Sequence, residues 1–421
     1  MNTMKKMQIL SLGLLLSGLW LNPPAQAADR VTEFTATREK HRPDGRLYSQ
    51  SARAFKFYEQ GLTALKEKKA DQAIELFTKA LRSYPSYAEA FYERGNAYLV
   101  KKAPEQALAD FSKVIELQAR PLMVDAYNNR GYIYNDLLNQ YEKAVVDFSE
   151  AIRLNPLYTR AWYNRGLAYD RLGEHEKAVA DYSKTLQFQA DYVDAYNNRG
   201  ISYLDLKQYD KALNDFEKAV KLAPDYALAY YNLGLIYSTR KNFEKALGYY
   251  TQAIERNPNY VEAYHNRGYI YNDVRKDYDK ALADFNKALQ INPDYINAYY
   301  NRGLTYYNKK DFSNALRDFS RVIQDNPKDA DALYYRGDCY YWQNQLDPAI
   351  ADFSEVVKLA PEDASTHYLL ASLYAQKKDA KAALAALAEA IRYNPDLKVA
   401  ARNEPALIFL RKLPEFKKLV K

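Results

Sequence analysis

The hexapeptide Ala126-Tyr127-Asn128-Asn129-Arg130-Gly131 recurs unchanged at 195–200 in a chain of 421 residues. Near-copies with the sequences AWYNRG, AYHNRG and AYYNRG stand at 161–166, 263–268 and 298–303. A phrase that returns every 34 to 36 residues predicts an internally repeated structure. Because a chain of this length exceeds one ordinary domain core, a repeat array or several domains is expected.

The glycine of this phrase sets the register of ten repeated units. Glycine occupies the eighth position in nine units and Ala371 does so in the tenth, so the units begin at residues 54, 88, 124, 159, 193, 227, 261, 296, 330 and 364. Alanine recurs in the second half of every unit, and an aromatic residue follows it in nine. Apolar residues at spacings of three and four predict two amphipathic helices per unit. Glycine lets these helices approach closely, and a proline that closes eight units ends the second helix.

This pattern resembles the tetratricopeptide repeat (TPR) family, in which an aromatic residue, glycine, tyrosine, alanine and a second aromatic residue recur in a helix-turn-helix unit. The fourth unit carries these residues as Trp162, Gly166, Tyr169, Ala178 and Tyr182. Its last two places hold Thr185 and Ala190, which depart from the family pattern. The resemblance implies an all-α fold, a right-handed superhelical solenoid of about ten TPR units over residues 54–397.

Residues 1–27 predict a secretory signal peptide. Two lysines precede an apolar stretch at 9–21, and Ala25-Gln26-Ala27 forms a small-residue cleavage site. The apolar stretch is too short for a comfortable membrane span. We therefore expect cleavage near Ala27 and a periplasmic or secreted mature chain without a membrane span, with a retained anchor as the alternative.

The two ends of the mature chain differ from the repeats. Residues 28–53 are polar and are interpreted as a flexible lead-in that joins the first helix near its end. Residues 398–421 interleave apolar and basic side chains. We expect a C-terminal capping helix whose apolar face covers the last repeat, and a basic helix lying on a membrane surface is the alternative.

Charge and motif content argue against several functions. The formal net charge of +7 falls to +5 without the two lysines of the signal segment, and no basic stripe is present, so nucleic acid is not an expected partner. The four histidines fall in different units or in the lead-in, and no phosphate-binding glycine loop occurs, so neither a metal, a cofactor nor catalysis is expected. Acidic residues at position two, such as Asp125 and Asp194, are interpreted as partners of the helix dipole. If they also face the groove, neutral or basic ligand segments are favoured.

Arginine at position seven and aspartate sixteen or seventeen residues later occur together in seven units. The other three units lack both residues, including the sixth, which lies between units that have both. Loss of one partner from a buried ion pair costs roughly 3–5 kcal/mol, which favours keeping or losing both. We therefore expect an ion pair between the two helices of each of these units. The expected pairs are Arg94–Asp110, Arg130–Asp147, Arg165–Asp181, Arg199–Asp215, Arg267–Asp284, Arg302–Asp318 and Arg336–Asp352.

Position six holds asparagine in six consecutive repeats. These residues are Asn129, Asn164, Asn198, Asn232, Asn266 and Asn301. In the family that the chain resembles, position six lines the concave groove. The row is similar to the asparagine ladder in the tetratricopeptide superhelix of the O-linked N-acetylglucosamine transferase, where asparagines hold the main chain of extended protein substrates. Asparagine is roughly 0.5–0.7 kcal/mol less favourable than alanine inside a helix, and the sequence shows no structural role for Asn129 or Asn198.

Tyrosines at neighbouring positions, Tyr132, Tyr163, Tyr231 and Tyr300, are expected to offer flat apolar faces beside this row. A carboxamide both donates and accepts hydrogen bonds, so we predict a peptide groove with a footprint of ~15–18 extended residues. The predicted function is a non-enzymatic scaffold of the bacterial cell envelope that binds extended segments of partner proteins. The alternatives are a solvated asparagine copied by duplication, a glycan-binding groove, and self-association through the open ends of the array.

Overall fold

The computed structural model describes residues 45–421, which form helices and contain no β-strand. The expected signal peptide and the part of the lead-in up to residue 44 lie outside the described residues. The first helix begins at Gly45, so residues 45–53 are helical and continuous with the first repeat. The chain divides into two compact units, Met1–Pro224 and Asp225–Lys421.

The first unit contains repeats 1 to 5, each a pair of helices joined by a short turn. The first helices of these pairs are α1 (Gly45–Lys66), α3 (Ala88–Val100), α5 (Arg120–Tyr132), α7 (Thr159–Arg171) and α9 (Val193–Asp205). The second helices are α2 (Ala70–Ser83), α4 (Pro104–Glu116), α6 (Tyr141–Leu154), α8 (His175–Phe188) and α10 (Tyr209–Leu222). Each helix packs on its pair partner and on the next helix along the unit, as a stack of hairpins requires.

The second unit contains repeats 6 to 10 and the C-terminal cap. The first helices are α11 (Ala227–Thr239), α13 (Val261–Ile270), α15 (Ile296–Asn308), α17 (Ala330–Trp342) and α19 (Ala364–Gln376). The second helices are α12 (Phe243–Arg256), α14 (Tyr278–Ile291), α16 (Phe312–Asp325), α18 (Leu346–Leu359) and α20 (Ala380–Tyr393). Their packing follows the same order within this unit.

A glycine in the first helix lets the two helices of a repeat touch. In repeat 5, a Cβ atom placed on Gly200 would lie 2.6 Å from the ring of Phe216 on the partner helix. In repeat 6, a Cβ atom on Gly234 would lie 2.5 Å from the ring of Tyr250. A larger residue would therefore force the aromatic ring out of the core, as the sequence pattern predicts.

Repeats 3 and 7 contain one inserted residue before the second helix, and each widens there into a π-helical turn. The two turns are Ile133–Leu137 and Tyr271–Arg275. Both include part of the same seven-residue sequence, RGYIYND, at 130–136 and 267–273. A π-helical turn takes up an extra residue without ending the helix, so the pairing of the two helices is kept.

The C-terminal cap consists of three short helical segments instead of the single helix expected from the sequence. These are α21 (Leu397–Asn403), a 3-10 helix (Pro405–Lys412) and α22 (Pro414–Leu419). Each of the last two segments starts with a proline, which cannot continue a preceding helix because it lacks an N–H. The cap side chains buried with residues of repeat 10 are Ala401, Leu407, Leu410, Phe416 and Val420. The segments therefore cover the last repeat, and these apolar side chains are not available to a membrane surface.

Candidate functional site

Every asparagine of the row lies on a first helix, and the described contacts tie these side chains to neighbouring repeats. We call the face of the first helices that carries the position-six side chains the asparagine face. In the first unit, Nδ2 of Asn129 donates to the hydroxyl of Tyr92 at 3.2 Å. Nδ2 of Asn164 donates to Oδ1 of Asn128 at 3.0 Å, and Nδ2 of Asn198 donates to the hydroxyl of Tyr163 at 2.9 Å. The acceptor in each of these three bonds is the side chain at position five of the preceding repeat, and Nδ2 of Asn129 also donates to Oδ1 of Asn96 at position nine, 3.3 Å away.

The second unit shows the same arrangement. Nδ2 of Asn266 donates to the hydroxyl of Tyr231 at 3.0 Å. Nδ2 of Asn301 lies 2.7 Å from Nε2 of His265, which accepts the hydrogen bond. Asn232 is only 4% exposed. The expectation that Asn129 and Asn198 lack a structural role is therefore wrong, because each donates a hydrogen bond to the preceding repeat.

His265 links two asparagines at once. Its Nδ1 lies 3.2 Å from Oδ1 of Asn266, and its Nε2 accepts from Asn301. Since an amide oxygen only accepts and an amide nitrogen only donates, Nδ1 carries the proton of a neutral ring. Burial lowers the pKa of His265 to about 4, so the ring is neutral at physiological pH.

The tyrosines at position five are packed in the core and do not present the flat faces that the sequence suggested. Tyr163 and Tyr300 are 6% and 8% exposed. The ring centroid of Tyr163 lies 5.8 Å from that of Tyr182 and 4.8 Å from that of Tyr192. Tyr231 is half-buried and packs in the same way. The hydroxyls of Tyr163 and Tyr231, and not their rings, meet the asparagine row.

Half-buried tyrosines at position nine lie beside carboxylates. Burial raises the pKa of Tyr132, and the charge of Asp136 raises it further. Burial raises the pKa of Tyr269 to about 12, with Asp273 adding to the shift. Repeats 3 and 7 therefore place an equivalent tyrosine and aspartate next to their asparagines.

Carboxylates also surround the place where the asparagine row ends. Tyr335 occupies position six in repeat 9. Its pKa is raised by burial and then by the charges of Asp331, Asp273 and Asp338, which come from repeats 7 and 9. Three carboxylates of the second unit therefore lie close enough to Tyr335 to act on its hydroxyl at the end of the asparagine row.

Asp125 has a different role from the one expected. Helix α5 begins at Arg120, so Asp125 lies beyond the first turn, where a helix dipole is not effective. Its side chain is buried, and its Oδ1 accepts a hydrogen bond from the hydroxyl of Tyr158 at 2.8 Å. The acidic residue thus ties repeat 3 to the segment that precedes repeat 4. By contrast, Asp194 does lie in the first turn of its helix.

The structure brings each of the seven arginines against the aspartate that the sequence pairs with it. Arg199 donates from Nε and Nη2 to the two carboxylate oxygens of Asp215 at 2.8 and 2.7 Å. Its Nη1 donates to Ser183 of the preceding repeat at 2.9 Å. The same bidentate contact, with distances of 2.6 to 2.9 Å, joins Arg94–Asp110, Arg130–Asp147, Arg165–Asp181, Arg267–Asp284, Arg302–Asp318 and Arg336–Asp352.

Sequence reasoning missed the third bond of each arginine, which joins one repeat to the one before it. The acceptors are Thr78, Ser112, Ser149, Ser183, Thr251, Asn286 and Ser320. A signal was present, because a small polar residue directly follows the aromatic residue of the second helix in each repeat that precedes an arginine. These arginines are therefore structural.

Asp170 is a second residue that sequence reasoning missed. This half-buried carboxylate accepts hydrogen bonds from Tyr182 at 2.8 Å and Ser202 at 2.9 Å, and Nδ1 of His175 lies 3.0 Å away. Burial raises the pKa of Asp170, although these three partners oppose the shift. Its partners come from its own repeat and the next, so its role is to join repeats 4 and 5.

Neither a metal-binding cluster nor a membrane-spanning helix occurs among residues 45–421. In that range, no three or more His, Cys, Asp or Glu side chains lie together in a way that would hold a metal ion. No helix in the same range is long and apolar enough to cross a membrane. Cys339 is buried, and burial raises the pKa of its thiol to about 12, in keeping with the small core residue expected there.

Comparison with known sequences gives repeated matches to one family. Profiles described as tetratricopeptide repeat match residues 58–121, 159–192, 191–259, 249–283, 300–364 and 340–398. A profile described as TPR repeat matches residues 137–173 and 275–310. Together they span residues 58–121 and 137–398. None of the curated proteins matches the chain.

Solved structures of repeat proteins match parts of the chain. A tetratricopeptide repeat protein from Parabacteroides merdae is 21% identical over 59% of this chain and 97% of its own, with a TM-score of 0.48. YrrB, a TPR protein with an unusual peptide-binding site, is 29% identical over 44% of this chain and 95% of its own, with a TM-score of 0.37. PilW, a type IV pilus biogenesis factor, is 21% identical over 52% of this chain and 97% of its own, with a TM-score of 0.41.

Proposed function

The chain belongs to the tetratricopeptide repeat family, whose members are generally protein-interaction scaffolds, and from this premise we propose that it binds extended segments of partner proteins in the bacterial cell envelope. The fold is in general a non-enzymatic scaffold fold, and the proposed function contains no catalytic step. The proposed binding surface is the asparagine face of each compact unit.

The observation that carries the proposal is a row of three carboxamides at one position of consecutive first helices in each unit. A carboxamide has two N–H donors and an acceptor oxygen, which match the main chain of an extended peptide in both directions. Asn164 and Asn301 each use one N–H in a bond between repeats, so the other can bind a ligand, whereas Nδ2 of Asn129 donates to two side chains of repeat 2, Tyr92 and Asn96. The bond between repeats also fixes the side-chain rotamer, which reduces the entropy lost on binding.

The internal bonds change one argument for ligand binding. Six asparagines inside helices are unfavourable by propensity, but a hydrogen bond contributes about 0.5–1.5 kcal/mol and offsets that loss. The poor helix propensity of asparagine is therefore not evidence for a ligand, and peptide binding is supported by the geometry of the row. Adjacent first helices about 10 Å apart give roughly three ligand residues per asparagine, or ~9 across each unit.

The two alternative functions lack a supporting observation. A glycan groove needs exposed aromatic faces, whereas the rings of Tyr163 and Tyr300 are buried in the core. Self-association through an open end is not favoured at the C-terminus, where the cap buries the last repeat. We therefore propose a peptide ligand, with neutral or basic side chains that suit the carboxylates beside the asparagine face.

The experiment that tests peptide binding presents the chain from Ala28 to a displayed library of random 15-residue peptides. Its control is a variant in which the four half-buried asparagines, Asn129, Asn164, Asn266 and Asn301, are changed to Ala. Peptides enriched on the wild-type chain and lost on this variant are expected. Equal enrichment on both, or binding only to a panel of cell-wall glycans offered in parallel, would contradict the proposal.

The envelope setting rests on the signal-like pattern in residues 1–27. We expect the protein in the periplasmic fraction or the medium, with a mature N-terminus at Ala28 by mass spectrometry. A full-length chain confined to the cytoplasmic fraction would contradict this part of the proposal and leave peptide binding untouched.

A further inference from the structure

Position five of the repeats alternates with a period of two repeats. From repeat 2 to repeat 8 its residues are Tyr92, Asn128, Tyr163, Asn197, Tyr231, His265 and Tyr300. Tyrosine thus stands in the even-numbered repeats, and a side chain with a ring or amide N–H stands in the odd-numbered ones. Because position five contacts the asparagines at position six, this alternation divides the asparagine row into two classes.

In the odd-numbered repeats the asparagine oxygen is occupied by its own neighbour. Nδ2 of Asn128 donates to Oδ1 of Asn129 at 3.4 Å. Nδ2 of Asn197 donates to Oδ1 of Asn198 at 3.2 Å, and His265 does the same for Asn266 through Nδ1 at 3.2 Å. These three asparagines therefore have both an N–H and the oxygen engaged within the protein.

In repeats 4 and 8 the asparagine oxygen accepts no hydrogen bond from the described residues. The neighbour at position five is Tyr163 or Tyr300, whose ring is buried. The hydroxyl of Tyr163 is engaged by Asn198 of the next repeat instead. Asn164 and Asn301 are half-buried, and neither carboxamide oxygen is fully buried, so solvent reaches both oxygens.

We propose that Asn164 and Asn301 are the ligand-contacting asparagines of their units and that Asn128 and His265 are their positioning residues. Each positioning residue accepts the Nδ2 hydrogen bond of its asparagine, at 3.0 Å for Asn164 and 2.7 Å for Asn301. This bond turns the carboxamide oxygen toward the open side of the face, where it accepts an N–H from the main chain of a peptide. The inference rests on the proposed peptide-binding function and names the residues that perform it.

The consequence is a single ligand-contacting asparagine on the asparagine face of each unit, flanked by asparagines whose oxygens are engaged or whose side chains are buried. Asn129, Asn198 and Asn266 serve mainly to join repeats. Asn232 follows a tyrosine at position five, as Asn164 and Asn301 do. Asn232 is only 4% exposed, however, so it contributes little to the binding of an external ligand.

The test compares two double variants with the same probe, the peptide enriched most strongly on the wild-type chain from the random 15-residue library. One variant carries Asn164→Ala with Asn301→Ala, and the other carries Asn129→Ala with Asn266→Ala. Each pair removes one half-buried asparagine from each unit together with its printed bonds to the preceding repeat, which are two for Asn129 and one each for Asn164, Asn266 and Asn301. The first variant should bind the probe roughly tenfold to a hundredfold more weakly, and the second less than about threefold.

The outcomes separate this inference from the proposed function. Equal losses in the two variants, or a larger loss in the second, would overturn the two-class assignment while peptide binding stands. If no peptide is enriched on the wild-type chain, the proposed function and the inference fall together. Circular dichroism melts show whether a difference in affinity between the two variants comes from unfolding. We expect similar melting temperatures for the two variants.

A rescue experiment tests whether an engaged oxygen keeps Asn129 from the ligand. In the Asn164→Ala chain, Asn128→Tyr removes the N–H that occupies the oxygen of Asn129, so that tyrosine precedes the asparagine in repeat 3 as it does in repeat 4. We expect the probe to regain affinity by about threefold or more, because a carboxamide oxygen becomes available again. A residue with a merely structural role would give no gain, and unchanged or weaker binding would overturn the assignment.

Discussion

The amide nitrogen of Asn198 donates a hydrogen bond to the hydroxyl of Tyr163, thirty-five positions earlier in the chain and 2.9 Å away. Asn198 is 7% exposed and Tyr163 is 6% exposed. Because both residues are buried, water does not readily replace this bond when one partner is removed. The contact therefore joins repeats 4 and 5 through a polar interaction inside an otherwise apolar stack.

This contact predicts that Asn198→Ala destabilises the protein despite the better helix propensity of alanine. The propensity gain is roughly 0.5–0.7 kcal/mol, whereas a buried polar group left without a partner costs about 1–3 kcal/mol. We expect a net loss of about 1 kcal/mol in urea unfolding. Tyr163→Phe provides the matched control, because the double variant should lose less than the sum of the two single changes. A higher melting temperature for Asn198→Ala would contradict the structural role.

The Arg199–Asp215 pair should show strong coupling. Burial raises the pKa of Asp215 even though the guanidinium of Arg199 opposes the shift, so an isolated partner is expensive in this environment. Arg199→Leu or Asp215→Leu alone should lower the free energy of unfolding by roughly 3–5 kcal/mol. Both changes together should cost less than their sum, as repeat 6 already carries Leu233 and Tyr249 at these places. Additive losses in the double-mutant cycle would show that the two residues do not interact.

The sequence predicted the arginine pairs but not the partners of the asparagines, and the reason is the distance between the interacting residues. Arg199 and Asp215 lie in one repeat, so the sequence shows directly that a repeat has either both residue types or neither. Asn198 contacts Tyr163 in the preceding repeat, and such contacts become visible only when position five is compared between neighbouring repeats. The helix pairs follow from apolar spacing, whereas the π-helical turns depend on how one inserted residue is accommodated in three dimensions.

Backbone conformation at the hairpin turns leads to a third prediction. Lys207 joins α9 to α10 with a φ of 58°, and its side chain is exposed, whereas Gly173 occupies the same place in repeat 4 with a φ of 74°. A residue with a Cβ atom is strained in this left-handed region, and glycine is not. Lys207→Gly should therefore raise the free energy of unfolding by roughly 0.5–1 kcal/mol, after the larger entropy of unfolded glycine is included.

The reverse change serves as the control for this prediction. Gly173→Lys introduces the same strain at a place where a new Cβ atom has no neighbour within 4 Å, so it should destabilise by a similar amount without a steric clash. Urea unfolding at pH 7 measures both variants. A loss of stability in Lys207→Gly would show that the lysine side chain makes a favourable contribution that outweighs its backbone strain.

His265 predicts a dependence of stability on pH. Its pKa is lowered by burial to about 4 from an ordinary value near 6.5, so the folded protein favours the neutral ring. The contribution of the neutral ring is fully present above pH 6.5 and is lost as the pH falls through 6.5 toward 4, because the unfolded chain takes up the proton first. Between pH 7 and pH 4.5 this group should reduce the free energy of unfolding by about 2–3 kcal/mol.

The variant His265→Asn isolates this effect, because asparagine occupies position five in repeats 3 and 5 and does not titrate. Other groups titrate in the same range, so the quantity to compare is the difference between wild type and variant at each pH. Asparagine retains an acceptor for Nδ2 of Asn301 and a donor for Oδ1 of Asn266, and the variant should therefore fold at pH 7. We expect the wild type to lose more stability than His265→Asn between pH 7 and pH 4.5 in urea unfolding. Equal losses in the two proteins would mean that His265 can take up a proton without leaving its place between the two asparagines.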